Sequence, residues 1–249
     1  MPETSQQVNF PWRSKAPRLL GMAVLTLVCG ATWVGFDLHG VVRPPEYFES
    51  EIRAFERADA ADPPQPGQVL FLGSSSIRRW SSLERDMAPF RVLNRGFGGS
   101  QLEHVIHFFD RIVAPYKPRA IVLYEGDNDL AGDTGKDSDD VFEDFELFVT
   151  RVREALPETR VHFLSIKPSP TRWHRWSEMS AANQKIADWS KATKRLDYID
   201  VASVLLGSDG RPRADFFLTD GIHLNPDGYR AWATIVRRAI APQQPADAK

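Results

Sequence analysis

The chain has 249 residues, a formal net charge of −2 and one cysteine, with 42% hydrophobic and 26% charged residues. This length fits one mid-sized domain with additional segments, or two small domains, and the composition excludes disordered, collagen-like and multi-span membrane chains. The balanced charge excludes a broadly basic nucleic-acid-binding protein, and the lone Cys29 provides neither an intramolecular disulfide nor a cysteine-ligated metal centre.

An apolar run of 18 residues, 19–36, lies near the N-terminus. As a helix it spans roughly 27 Å, close to the hydrocarbon thickness of a bilayer. Three basic residues precede the run, whereas Arg43 is the only Lys or Arg in the fifteen residues that follow it. The positive-inside rule therefore places residues 1–18 in the cytoplasm. The pattern predicts a single-pass signal anchor in the cytoplasmic membrane, with a periplasmic domain. The alternatives are secretion after signal cleavage and a buried helix of a cytosolic domain.

Composition also suggests the limits of the folded domain. Residues 37–67 are polar, acidic and finally proline-rich, which is typical of a semi-rigid linker. Residues 68–240 form the predicted folded domain, and residues 241–249 lack an apolar period, which predicts a flexible tail.

Short apolar runs alternate with longer amphipathic segments through residues 68–240. Two of the runs are continuous in apolar residues, as strands buried on both faces must be. Phe145, Val149 and Val152 have helical spacing, which predicts a helix between two strands. The alternation predicts an α/β fold, a three-layer α/β/α sandwich with a five-stranded parallel sheet. The predicted strands are residues 69–72, 92–93, 120–124, 161–166 and 198–201.

Polar loops follow the first three predicted strands. They are Gly73-Ser74-Ser75-Ser76, residues 94–100 and residues 125–129, and a fourth polar stretch, 219–226, precedes the last predicted helix. Because ligands of open parallel sheets bind at the carboxyl ends of the strands, we expect these loops to meet at one edge.

The loops contain the residue types that acyl transfer requires. Ser75 lies in a predicted strand-to-helix turn, which exposes a hydroxyl at the sheet edge. His223 is mostly the free base at neutral pH if unperturbed, and can accept the serine proton. Asp220, three residues earlier, can accept a hydrogen bond from the imidazole and stabilise the imidazolium.

An oxyanion also needs hydrogen-bond donors. The backbone N–H groups of Ser75 and Gly99 and the side-chain amide of Asn128 are the predicted donors. This chemistry requires no metal and no organic cofactor.

These blocks resemble those of the SGNH hydrolase superfamily, the GDSL-type lipases and acylhydrolases. The resembling residues are Gly73-Ser74-Ser75, Gly99, Gly126-Asp127-Asn128-Asp129 and Asp220-Gly221-Ile222-His223, so the resemblance spans nearly all of 68–240. It implies a flavodoxin-like fold, Ser75 as nucleophile, Asp220 and His223 as its triad partners, and Ser75, Gly99 and Asn128 as the oxyanion hole. Ser74 replaces the acidic residue that usually precedes the nucleophile, so Ser74 and Ser76 stay open as alternative nucleophiles.

Three tryptophans are candidates for substrate contact. Trp80 follows the predicted nucleophile turn, and Trp173 and Trp176 lie just beyond the fourth predicted strand. They could form an aromatic wall beside the predicted site and contact the acyl group of a substrate. The alternative is that all three pack in the core.

The sequence therefore predicts a serine esterase that cleaves small or medium acyl esters, carried on a glycan, a lipid or a metabolite, and that binds no nucleic acid. An O-acyltransferase would use the same triad with an alcohol in place of water. A non-catalytic cell-envelope binding protein of the same fold is the third alternative.

Overall fold

Five parallel strands form the centre of the fold. The computed structural model describes residues 42–132 and 134–241. Its strands are β1 (Val69–Gly73), β2 (Val92–Gly96), β3 (Ala120–Tyr124), β4 (Arg160–Leu164) and β5 (Leu196–Ile199). They pair in the order β2-β1-β3-β4-β5, all parallel, which is the flavodoxin-like order. The predicted α/β sandwich is confirmed.

Helices cover both faces of this sheet. One face carries α1 (Glu49–Ala61), α4 (Leu102–His107), α5 (Phe109–Ile112), α6 (Ser138–Ala155) and α7 (Trp176–Ala192). The other face carries α2 (Ser75–Arg78), α3 (Leu83–Met87) and α8 (Pro226–Ala239). Each face thus has its own apolar core.

Strand alternation divides the apolar side chains between these two cores. Leu70 and Leu72 of β1 face the first helical layer, whereas Val69 and Phe71 face the second, and all four are fully buried. Burial on both faces explains why the strand is a continuous apolar run.

Residues 45–61 are helical and packed against the domain, although they lie within the linker predicted over residues 37–67. A 3-10 turn at Pro45–Phe48 leads directly into α1, and Phe48 and Ile52 are fully buried against the first core. Phe55 packs beside them, so the three apolar residues follow helical spacing. The linker prediction is wrong here because the acidic composition hid this apolar stripe.

Ion pairs fasten the acidic side of α1 to the domain. Arg111 donates to Glu49 at 2.8 Å and to both carboxylate oxygens of Glu56 at 2.7 and 2.8 Å. Asp59 accepts hydrogen bonds from Arg95 and from the Tyr116 hydroxyl. Glu49, Glu56 and Asp59 are therefore paired with arginines of the domain.

Several sequence predictions concern residues outside the described range. The cytoplasmic segment 1–18, the membrane anchor 19–36 and the tail 241–249, apart from its first residue, all fall there. Within residues 42–132 and 134–241, none of the helices combines the length and the apolar character needed to cross a bilayer.

Candidate active site

The turn after β1 presents Ser75 at the carboxyl edge of the sheet. Gly73 ends the strand with φ of +139°, and a Cβ there would lie 2.1 Å from the carbonyl oxygen of Tyr124, so this turn requires glycine. Ser75 is the first residue of α2, where its backbone N–H has no partner within the helix. Only 8% of Ser75 is exposed.

Ser75 and His223 meet across the edge of the sheet. The Ser75 Oγ lies 2.9 Å from the His223 Nε2, although the two residues are 148 positions apart in the chain. Of the three consecutive serines, Ser75 is the one whose hydroxyl reaches this imidazole in the described structure. The sequence left Ser74 and Ser76 as alternatives because Ser74 replaces the acidic residue that usually precedes the nucleophile.

Asp220 holds the opposite side of the imidazole. Its Oδ2 lies 2.7 Å from the His223 Nδ1, and its Oδ1 accepts hydrogen bonds from the backbone N–H groups of Ile222 and His223 at 2.8 and 2.9 Å. Burial opposes ionisation of this carboxyl, but the hydrogen bonds from His223 and Ile222 outweigh it and lower the pKa of Asp220 to about 2. An ionised carboxylate only accepts, so the His223 Nδ1–H donates to it and Nε2 is left to accept from Ser75.

The loop that carries Asp220 and His223 is fixed to the loop after β4. Thr171 donates from its hydroxyl to the Asp220 carbonyl oxygen at 2.7 Å, and from its backbone N–H to the Gly221 carbonyl oxygen at 3.2 Å. Gly221 has φ of +65°, a conformation that favours glycine. These contacts set the position of the imidazole relative to the sheet.

Burial keeps His223 neutral. It lowers the pKa of the imidazole below its usual 6.5, while the hydrogen bond to Asp220 partly opposes the shift and the nearby cations Lys167 and Arg79 add to it. A neutral imidazole is the form that accepts a proton from a serine hydroxyl.

Gly99 and Asn128 lie in neighbouring loops at the same edge. Gly99 has φ of +87°, which favours glycine. The side-chain amide nitrogen of Asn128 donates to the backbone carbonyl oxygen of Ser100 at 2.9 Å, and the Gln101 side-chain amide donates to the backbone carbonyl oxygen of Asn128 at 3.1 Å. The loops after β2 and β3 are thereby joined beside Ser75.

Next to Asn128 lies a buried ion group, a cluster of ion pairs formed by Asp127, Lys167 and Arg172. Arg172 donates to the Asp127 Oδ1 at 2.5 Å, and Lys167 contacts the Asp127 Oδ2. Burial disfavours the Asp127 carboxylate, but the two cations outweigh it and hold its pKa well below the usual range. Neither cation was predicted from the sequence, although each follows β4 at the edge where the other polar loops converge.

A cleft of about 250 Å³ opens beside Ser75 and His223. It is not lined by the predicted tryptophans. The lining residues are Arg43, Tyr47, Glu51, Ser75, Arg78, Arg79, Gly98, Gly99 and His223. Arg43, Tyr47 and Glu51 come from the segment that was predicted to be a linker.

The prediction that Trp80 contacts substrate is wrong. Its ring is 1% exposed, stacks on Tyr229 at 5.3 Å between ring centroids, and donates from Nε1 to Asp86 at 2.8 Å. The chain turns inward after α2, so Trp80 fills the core between α2 and α8. Trp173 and Trp176 stack on each other at 6.0 Å, outside the residues that line the described cleft.

The chain matches a known family model and known structures. The model for the GDSL-like lipase/acylhydrolase family matches residues 67–231, whereas a search of curated protein sequences finds no match. A Streptococcus pneumonia protein named for platelet activating factor is 20% identical with a TM-score of 0.68, over 78% of this chain and 93% of its own. A GDSL-like lipase from Bacteroides thetaiotaomicron is 19% identical with a TM-score of 0.63, over 76% and 97% of the two chains.

A third similar structure is a variant of an acetyl-xylooligosaccharide esterase from Geobacillus. It is 14% identical with a TM-score of 0.59, and the match covers 72% of this chain and 96% of that one. These likenesses show the shared fold, and the family match covers the polar loops after β1, β2 and β3 together with Asp220 and His223. The chain therefore belongs to the GDSL-like lipase/acylhydrolase family and is an ester-bond hydrolase.

Proposed function

We propose that this chain is a serine esterase that cleaves small or medium acyl esters through a Ser75 acyl-enzyme. One observation carries the proposal, which is the continuous hydrogen-bonded series from Ser75 Oγ through His223 to Asp220, at 2.9 and 2.7 Å. Nucleophile, base and orienting carboxylate in this order are the arrangement of a serine triad.

In the first half-reaction the Ser75 oxygen attacks the ester carbonyl carbon, and its proton moves to the His223 Nε2. The carbonyl oxygen becomes an oxyanion, which the N–H groups of Ser75 and Gly99 and the Asn128 amide stabilise. Collapse of this intermediate breaks the bond to the alcohol, which leaves with the proton from His223. Ser75 then carries the acyl group.

In the second half-reaction water attacks the acyl-enzyme while His223 accepts its proton. The second oxyanion collapses, the bond to the Ser75 oxygen breaks, and His223 returns the proton to Ser75. The products are a carboxylic acid and an alcohol.

An O-acyltransferase would differ only in the second step, where a sugar hydroxyl replaces water. Product analysis with and without an acceptor alcohol distinguishes the two, and we expect free acid to predominate. A non-catalytic binding protein would need no hydrogen-bonded series between Ser75, His223 and Asp220, so this series favours an enzyme.

We further propose that residues 19–36 anchor the chain in the cytoplasmic membrane, with the esterase domain on the periplasmic side. The support is the apolar run of 18 residues and the excess of basic residues before it. Fractionation of cells that produce the full chain tests this, and recovery of the intact chain in the soluble fraction would contradict it.

The decisive experiment for the esterase compares serine variants on p-nitrophenyl acetate. Ser75→Ala should abolish turnover and leave the thermal midpoint nearly unchanged, while Ser74→Ala and Ser76→Ala serve as matched controls that stay active. A fluorophosphonate should add to the wild-type chain at Ser75, as peptide mass spectrometry reports. Turnover by Ser75→Ala, or labelling at a neighbouring serine, would refute the assignment.

A panel of acyl chain lengths then defines the natural ester. An acetylated xylooligosaccharide belongs in this panel because one structural neighbour is an esterase of such compounds. Activity on acetate that falls as the chain lengthens would fit a cleft of about 250 Å³.

A further inference from the structure

Cationic side chains dominate the cleft beside Ser75. Arg43, Arg78 and Arg79 line it, and Glu51 is the single carboxylate among its lining residues. Because three arginines face one carboxylate, the charges of the lining do not cancel. The contrast with the whole chain, whose formal net charge is −2, shows that positive charge is concentrated at this cleft.

Arg43 reaches the cleft from the segment before α1. Its guanidinium packs over the ring of Tyr47 at 4.3 Å from the centroid. A Cβ on Gly99 would lie 2.9 Å from the Arg43 Nη1, which shows how closely the guanidinium approaches the proposed oxyanion loop. The Arg43 carbonyl oxygen lies 2.7 Å from the Nε2 of the buried His104, so the backbone of Arg43 is held as well.

Arg78 and Arg79 lie at the C-terminal end of α2, the helix that begins at Ser75. The Arg78 guanidinium lies against Gly98, where a Cβ would be 2.3 Å from its Nη2, and it donates to Glu51 at 3.0 Å. Arg79 directly follows α2 and is exposed, and its charge acts on His223. One of the three cations is thus paired with a carboxylate.

The other two cations have no such partner. Within residues 42–132 and 134–241, no carboxylate lies within 4.0 Å of the guanidinium nitrogens of Arg43 or Arg79. Guanidinium groups bind carboxylates and phosphates through paired hydrogen bonds, and a cleft of one charge sign concentrates ligands of the opposite sign. Uncompensated arginines beside a nucleophile are therefore suited to an anionic group of the substrate.

We propose that Arg43 and Arg79 make this cleft selective for acyl esters that carry an anionic group, such as a carboxylate, close to the ester bond. This inference rests on the proposed esterase function and specifies its substrate class. Arg78 shares the surface, but its ion pair with Glu51 leaves it a smaller part in binding.

Two pairs of esters test the charge preference of the full chain. Within each pair, one ester carries a carboxylate and the other carries a neutral carboxamide at the same position. Monoethyl succinate and ethyl succinamate place the group on the acyl side, while para-acetoxybenzoate and para-acetoxybenzamide place it on the alcohol side. The readout is the anion-to-neutral ratio of kcat/KM in Arg43→Gln, Arg79→Gln and wild type. Comparison of variants with wild type cancels the intrinsic reactivity of each ester.

We expect the ratio to fall about tenfold in each variant, in at least one of the two pairs, because a hydrogen bond to a charged group is lost. Added salt should lower the wild-type ratio. Arg91→Gln is the matched control, since Arg91 is exposed just before β2, at the end of the sheet away from Ser75, and it should keep the wild-type ratio. A loss confined to one pair identifies the side of the ester that meets the arginines.

An unchanged ratio in both pairs, with thermal midpoints like that of the wild type, would overturn the inference. The esterase proposal fails by a different result, namely neutral ester hydrolysis that is absent or that survives in Ser75→Ala. Calorimetry of the same intact esters with Ser75→Ala keeps the charge preference testable without turnover. Equal affinity for the carboxylate and the carboxamide would also overturn it.

Discussion

Arg172 donates two hydrogen bonds, both 3.2 Å long, to the side-chain carbonyl oxygen of Asn128. Arginine carries donors only, so the amide oxygen must face the guanidinium and the amide nitrogen must face away from it. That nitrogen donates one hydrogen to the Ser100 carbonyl oxygen at 2.9 Å, which leaves its second N–H for an oxyanion. The buried ion group therefore fixes the orientation of a proposed catalytic donor.

Removal of this donor should slow the chemical step. We predict that Asn128→Ala lowers kcat about 100- to 1,000-fold with a much smaller change in KM, because an oxyanion donor acts mainly in the transition state. Steady-state kinetics on p-nitrophenyl acetate measures both. Asn128→Asp is the comparator, since it keeps an acceptor for Arg172 but has no N–H, and should be similarly slow. Near wild-type kcat in either variant would exclude Asn128 from the oxyanion hole.

The acid limb of the pH profile should reflect His223. Burial lowers the pKa of this imidazole below 6.5, so the neutral base persists as pH falls through 6.5 and is lost only at lower pH. We predict that kcat/KM falls with a midpoint below 6.5. Because Arg79 disfavours the imidazolium, Arg79→Gln should move that midpoint upward, while Arg91→Gln should leave it in place. A midpoint above 6.5, or no response to Arg79→Gln, would argue against this electrostatic account.

Stability should fall in mild acid through two buried histidines. Burial lowers the pKa of His104 and of His162 to about 4, against about 6.5 in an unfolded chain. Between these values the unfolded chain binds protons that the two native histidines exclude, so the contribution of these histidines to stability is lost as pH falls from 6.5 towards 4, whereas the raised pKa of the buried Glu125 carboxyl acts in the opposite direction. The limiting slope is about 1.4 kcal/mol per pH unit for each histidine.

Urea unfolding at a series of pH values measures this slope. In the native chain the His104 Nδ1 accepts from the Gln101 N–H at 3.0 Å and Nε2 lies 2.7 Å from the Arg43 carbonyl oxygen, an arrangement that only the neutral ring allows. His104→Gln should be less stable at pH 7 yet show a shallower slope. An equally steep slope in this variant would show that His104 does not contribute.

Truncation should distinguish the segment before β1 from a linker. We predict that residues 42–249 retain esterase activity, because they keep α1 and the lining of the cleft. Removal of residues 1–66 should lower the thermal midpoint and the urea midpoint, since it strips Phe48 and Ile52 from the core, each contributing roughly 1.5–3 kcal/mol. Equal midpoints for the two chains would restore the linker interpretation.

Much of the fold was predictable because strands buried on both faces leave continuous apolar runs. All five strands were predicted, and β3 matches at both ends. The edge strand β5 was predicted at 198–201 but spans Leu196–Ile199, because it has a neighbour on one side only and its two central residues are half-buried. Its weaker apolar pattern gave a less precise position.

The residues of the candidate site also fall into those that the sequence could predict and those that it could not. Ser75, Asp220 and His223 were predictable because loops after parallel strands converge on one edge, and the structure brings these three together. Arg43 was not, since its place in the cleft depends on how α1 packs on a distant part of the chain. Trp80 was wrongly placed because its ring direction depends on the turn after α2 and not on its distance from Ser75 in sequence.

The matched family region begins at residue 67, whereas Arg43 and Tyr47 lie upstream of it. The cleft is accordingly a composite, in which Ser75 and His223 lie within the matched family region and Arg43, Tyr47 and Glu51 come from the segment before it. Such a division lets substrate choice diverge while the chemistry stays the same. Transplanting residues 42–61 onto another hydrolase of this family offers a way to alter its specificity without touching its nucleophile.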